Sequence, residues 1–249
     1  IAHTHGRLPS RSRKWRMLVI LPVWVFVAFI ASQLIVVGIL YVLQAFHASP
    51  ERYVSDAVAQ TVIAAAVYAI AIALVMGVPY LWRRYKTTLD DLGLSRLPSW
   101  GDIGLSPLAF VAYALLVSVI MAVVDQIPGF PADQAQDVGF SVFGSRLDNI
   151  LAFITLVVLA PVAEETLFRG YLYGKLKKYV PVVVAALATS LLFGLVHGQL
   201  NVGVDVFVLS LILCGLRSIT GSIWAGVLVH MIKNAIAYYL LFISPILGG

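Results

Sequence analysis

Several polar side chains stand where an otherwise apolar chain has least reason to keep them. Only three glutamates occur, and two of them, Glu164 and Glu165, are adjacent within "APVAEETLFRGY", Ala160 to Tyr171. Arg169 follows Glu165 by four residues. His197 closes a later apolar run, and His230, Lys233 and Asn234 stand in another. An ionisable group in hydrocarbon is costly, so it usually faces an interior cavity and carries function. Helical spacing sets Glu165 and Arg169 on one face, one turn apart, which suits an internal ion pair. Glu164 lies about 100° further round the axis and is free to point elsewhere. Pro161 removes one helical hydrogen bond and favours a kink beside the pair. A carboxylate, two imidazoles and an amide are groups that can activate a water and hold an oxyanion.

The elements that must position these groups follow from the distribution of charge. The chain has 249 residues, 61% hydrophobic and 12% charged, with a mean hydropathy of +0.95. A soluble domain carries roughly a quarter of its residues charged. No Asp, Glu, Lys or Arg occurs between Arg16 and Glu51, between Asp56 and Arg83, or between Asp102 and Asp125. Each run exceeds the ~20 residues a helix needs to cross the hydrocarbon core. The expected fold is an all-α polytopic bundle of about seven spans, near Met17–Phe46, Ala57–Trp82, Ile103–Val124, Ile150–Tyr171, Pro181–His197, Val204–Leu216 and Ser222–Phe242. The sixth is the shortest. The first is too long for a signal-peptide core and reads as a retained anchor.

Basic residues alternate between the two sides. Arg7, Arg11, Arg13, Lys14 and Arg16 precede span one, Arg83, Arg84, Lys86 and Arg96 follow span two, Lys175, Lys177 and Lys178 follow span four, and Arg217 follows span six. The other side has Arg52 and Arg146. The positive-inside rule then predicts a cytoplasmic N-terminus and an outer C-terminus. The net charge of +5 reflects topology and lipid headgroups and gives no reason to expect nucleic acid. "TTLDDLGLSRLPSWGD", Thr87 to Asp102, is expected as a short surface helix or loop. "DQIPGFPADQAQDVGF", Asp125 to Phe140, is expected to be irregular. Measured from the basic side at ~1.5 Å per residue, Glu164 lies about 16 Å deep, His197 about 24 Å, His230 about 12 Å and Asn234 about 18 Å. Three helices would thus aim these groups at one region.

Each residue has a plainer reading. Glu165 with Arg169 reads as a structural ion pair. A single intramembrane histidine usually bonds a neighbouring helix, but two of them with Glu and Asn favour a site. Two carboxylates packed together in low dielectric require that one be paired or neutral. Lys233 is expected either to snorkel or to line a cavity. Gly194, Gly198, Gly215 and Gly226 are expected at close helix contacts, and Cys214 as a packing residue. Asn201 and Asp205 fall near the outer edge, with no catalytic role required.

Three short motifs resemble the CPBP family, the CAAX proteases and bacteriocin-processing enzymes also called the ABI family. Its E-E-x-x-x-R stands here as "EETLFR", Glu164 to Arg169; its F-x-x-x-H as "FGLVH", Phe193 to His197; its H-x-x-x-N as "HMIKN", His230 to Asn234. Phe207 and Gly215 fit the family's penultimate span, and the pattern covers about Thr87 to Phe242. The resemblance implies an intramembrane endopeptidase in which Glu164 activates water with help from His197, while His230 and Asn234 stabilise the oxyanion. Glu165 and Arg169 would hold the pocket's shape, with Phe193 beside them. Members have been called metalloproteases, and Glu164, His197 and His230 could form a two-histidine, one-carboxylate zinc site with an open position. No H-E-x-x-H helix is present, and Glu164 as a ligand would leave only Glu165, engaged by Arg169, as base. The expectation is a site without cofactor, with zinc as the alternative.

The domain organisation expected is a basic cytoplasmic tail over 1–16, N-terminal spans and surface loop over 17–102, and a catalytic bundle over 103–249. Expected partners are the bilayer and a membrane-associated peptide or protein substrate; nothing fixes an oligomeric state. Two other classes use the same polar core differently. A scaffold or immunity protein would grip a partner's transmembrane helix and would tolerate Glu164→Gln. A proton-coupled transporter would suit the Glu, His and Lys, but no inverted repeat is visible.

Overall fold

A computed structural model describes residues 11–46, 57–132, 134 and 145–244. His3, His5, His47, Arg52 and most of the expected irregular loop up to Phe140 lie outside the described residues. Among those described no strand forms, and the chain folds as a helical membrane bundle. In lipid every backbone N–H and C=O must find a partner within the protein, which leaves helices as the way for apolar runs to cross. Eight helices carry the description: α1 (Arg11–Phe46), α2 (Ala57–Arg83), α3 (Leu89–Leu92), α4 (Trp100–Val124), α5 (Arg146–Leu176), α6 (Val182–Leu195), α7 (Leu200–Thr220) and α8 (Trp224–Ile243). Six are long and apolar enough to span; α6 is shorter.

The short span is therefore the fifth and not the sixth. Helix α6 begins after Pro181 and stops before Gly198, whose φ of +72° ends the run. Its 14 residues reach about 21 Å. Helix α7 extends further than hydropathy suggests because its polar N-terminal residues are matched. Asn201 donates through Nδ2 to the Gln134 carbonyl at 2.7 Å. Asp205 pairs with Lys233 Nζ at 3.2 Å and accepts from the Tyr113 hydroxyl.

Helix α5 is the centre of the bundle. Residues 165–176 are buried without interruption. It is not a regular helix: π-helical turns at Ile154–Leu159 and Thr166–Tyr173 flank the α-helical Ala160–Glu165. Such turns commonly mark functional sites and re-aim the side chains beyond them. Around α5 pack α1, α2, α6 and α8, with α4 against α7 and α8. Helices α1, α2 and α4 turn Val19, Leu34, Val62, Leu81, Leu108 and Leu115 outward, as a lipid-facing surface requires. Helices α6 and α7 cross at Gly194 and Gly203. A Cβ at Gly194 would stand 2.7 Å from the Gly203 carbonyl oxygen. Of the other glycines expected at contacts, Gly226 faces α5, whereas Gly198 and Gly215 have open space.

The expected surface segment forms a cap across the basic ends of α5, α7 and α8. Capping boxes at Thr88/Asp91 and Ser99/Asp102 start α3 and α4. Between them the Gly93 carbonyl accepts from Ser222 Oγ at 2.8 Å and from the Ile223 amide at 3.2 Å. Trp224 Nε1 donates to the Arg96 carbonyl at 2.7 Å, and Lys178 pairs with Asp91 at 2.6 Å. Position 170 must be glycine for this close approach, since a Cβ there would lie 2.9 Å from the Leu92 carbonyl oxygen.

Candidate active site

The bundle holds a partly open cavity of about 510 Å³. Glu164, His197, His230 and Asn234 all line it, together with Lys233 and Phe193. Phe29, Gln33 and Tyr68 of α1 and α2 complete the wall. The convergence expected from span depths is thus present, and the two N-terminal helices contribute to it as well.

Two adjacent glutamates do different things because the helix turns between them. Glu165 and Arg169 are both fully buried, and Arg169 Nη1 donates to Glu165 Oε1 at 2.8 Å. The guanidinium also lies over the Phe193 ring, with Cζ 4.2 Å from its centroid. Glu165 Oε1 is in turn 3.1 Å from His230 Nδ1. An ionised carboxylate only accepts, so Nδ1 carries the proton on that side. Gly226 lets α8 come this close, since a Cβ there would meet Glu165 Oε2 at 3.1 Å.

Glu164 points into the cavity. Its Oε1 accepts a hydrogen bond from the Tyr68 hydroxyl at 2.5 Å. Its Oε2 lies 3.8 Å from His230 Nε2. The imidazole nearest to Glu164 is therefore that of His230, which stands between the two carboxylates. His197 Nδ1 donates to the carbonyl of Phe193, one turn back, at 2.7 Å, which leaves Nε2 as the ring's acceptor. Phe193 sits edge-on to both imidazoles, with centroids 4.9 Å from His197 and 6.0 Å from His230. Asn234 Nδ2 donates to the Leu156 carbonyl at 2.9 Å. That carbonyl belongs to the first π turn of α5, so the irregular backbone holds the amide in place.

Lys233 does not snorkel. It lines the cavity and pairs with Asp205. Sequence reasoning also missed Tyr68, whose partner is 96 residues away. A tyrosine inside a charge-free run was its only signal. Among the described residues no three of His, Cys, Asp and Glu gather into a group that could hold a metal ion. Glu164, His197 and His230 share the cavity, with Glu164 Oε2 3.8 Å from His230 Nε2.

The segment that supplies these groups has known counterparts. Residues 146–236 match the family model described as type II CAAX prenyl endopeptidase Rce1-like. All three motifs lie inside that segment, in agreement with the resemblance they carry. An uncharacterized 24.3 kDa protein of Escherichia coli is 38% identical over 89 residues, 34% of this chain and 41% of that protein. The chain thus matches less than half the length of that relative. No solved structure matches the chain.

Proposed function

We propose that the chain is an intramembrane endopeptidase that cleaves a peptide bond of a membrane-associated peptide or protein. One observation carries the reading: Glu164 faces a cavity with one oxygen held by Tyr68 and the other 3.8 Å from His230 Nε2. A single water about 2.8 Å from each atom can touch both. Glu164 takes a proton from that water, and the resulting hydroxide attacks the scissile carbonyl carbon. His230, held through Nδ1 by Glu165, turns Nε2 toward Glu164 and, with a proton on that nitrogen, donates to the oxyanion. Asn234 has a second amide hydrogen for the same oxygen. When the tetrahedral intermediate collapses, the C–N bond breaks and the proton on Glu164 passes to the leaving amine. His197 offers Nε2 to order the water. Glu165 and Arg169 fix His230 without taking part in proton transfer.

Family likeness supports a peptide hydrolase, and the family's description names prenylated CAAX proteins as one substrate class. Bacteriocin or signal-peptide precursors fit the same cavity chemistry. The test compares membrane and secreted peptides from cells carrying the native chain or Glu164→Gln at matched expression. Loss of the general base should lower cleavage by about 10²–10⁴-fold. Unchanged peptide sets with a persisting phenotype would favour the scaffold reading. Zinc is checked on the purified protein: one zinc per chain would assign Glu164 to the metal and refute its role as base. We also infer that the basic cap is cytoplasmic. In a Cys214→Ser background an impermeant thiol reagent added outside should label Ile127→Cys and spare Lys178→Cys; the reverse would invert the topology.

A further inference from the structure

We infer that Tyr68 is a positioning residue for Glu164, so that the site is completed by a helix outside the segment matched to the peptidase family. This rests on the reading of Glu164 as the base. Helix α2 meets α5 through two polar contacts on one face. Thr61 and Tyr68 are seven residues apart, two helical turns. The Thr61 and Thr155 hydroxyls are 2.9 Å apart, and the Tyr68 hydroxyl donates to Glu164 Oε1 at 2.5 Å. Thr155 is buried and does not line the cavity, whereas Tyr68 is half-buried in the cavity wall.

The terminal torsion of a glutamate is broad and roughly two-fold, so its carboxylate plane is not fixed by the helix. A hydroxyl on Oε1 fixes that plane. It also occupies lone pairs on one oxygen and leaves Oε2, beside His230 Nε2, as the oxygen open to water. In surroundings of low dielectric such a bond is stronger than in water. Glu164 has no other side-chain donor on Oε1 among the described residues. Arg169, the nearest cation in sequence, is turned to Glu165. Tyr68 therefore decides which oxygen acts as the base and in what orientation.

The test is kinetic and spectroscopic, on the full chain in detergent with one cleavable membrane peptide. Tyr68→Phe should lower kcat per folded molecule about ten- to hundredfold, with KM changed less than about threefold. Thr61→Val removes the other α2–α5 contact and should leave kcat within about twofold. The infrared carboxylate stretch of Glu164, identified as the band missing in Glu164→Gln, should shift in Tyr68→Phe and stay in Thr61→Val. Should Tyr68→Phe fail to fold, 3-fluorotyrosine at position 68 keeps the shape and strengthens the donor, and the same band should move. Equal losses in both α2 variants, or an unmoved band, would show a helix contact only and overturn the inference. An active Glu164→Gln would overturn the base assignment and this inference with it. An inactive Glu164→Gln beside a fully active Tyr68→Phe would overturn this inference alone.

Discussion

Breaking the Glu165–Arg169 pair from one side should cost more than removing it altogether. Both side chains have no exposure, so neither can recruit water when its partner is lost. Glu165→Gln leaves the Arg169 cation facing an amide and the Phe193 ring. Arg169→Met leaves the Glu165 carboxylate with His230 alone. Removing one member of a buried pair costs about 3–5 kcal/mol, because a charge is left uncompensated. The double variant leaves no such charge. It loses the guanidinium over Phe193, worth about 2 kcal/mol when desolvated, and it keeps an amide oxygen for His230 Nδ1. Its cost should therefore be about 2 kcal/mol, below either single variant.

The assay is reversible unfolding by sodium dodecyl sulfate in mixed micelles, followed by near-ultraviolet circular dichroism. The four members of the cycle are compared at one temperature and pH. The expected coupling is several kcal/mol, with the double variant the most stable of the three. Near-additive costs, with the double variant the least stable, would refute the reasoning. They would mean that water reaches the pair or that it contributes little to holding α5 against α8. Peptidase activity adds a second reading, because the double variant should fold yet turn over slowly. In it His230 has lost the carboxylate that accepts from its Nδ1.

Two further outcomes follow from the packing and the cap. Gly194→Ala would put a Cβ 2.7 Å from the Gly203 carbonyl oxygen, against 3.4 Å for ordinary contact, a shortfall of about 0.7 Å. Backbone must move, so a loss of about 1–3 kcal/mol is expected in the same unfolding assay, with reduced turnover as α6 carries His197 away. On the cap, the hydrogen bond from Lys178, with the Thr88 amide behind it, pushes the Asp91 carboxyl down from 3.8 to about 2. A depressed folded-state value means that the contribution is complete above the unfolded value and is lost as pH falls between about 4 and 2. Lys178 is half exposed, so screening limits it to about 1 kcal/mol. Hydrogen exchange of residues 88–94, corrected for its intrinsic pH dependence, should rise over that window in the native chain and show no such step in Asp91→Asn.

What could be read from the sequence was mostly local. Charge-free runs located the spans because hydrocarbon excludes charge regardless of tertiary context. The spacing of Glu165 and Arg169 gave their ion pair because helix geometry alone brings residues four apart together. The same geometry sent Glu164 elsewhere, and the structure finds it facing the cavity. Summed depths were a poorer guide: His197 and His230 were set about 12 Å apart in depth, yet both imidazoles flank the one Phe193 ring. Helix α6 is short and the π turns of α5 alter the register, and a uniform rise per residue captures neither.

The contacts that could not be read join helices distant in sequence. Tyr68 on Glu164, Asp205 on Lys233 and Thr61 on Thr155 each pair side chains from different spans. Nothing in the local spacing of either partner names the other. Asp205 illustrates the consequence. Judged from its own surroundings it was an edge residue with no task, and the cation that holds it inside the bundle lies in the last span. The local motifs therefore located the carboxylates and imidazoles, while the orientation of Glu164 depends on how α2 docks. Variants that loosen α2 at Tyr68 should therefore change turnover before they change stability, and variants in the Glu165–Arg169 pair should do both together.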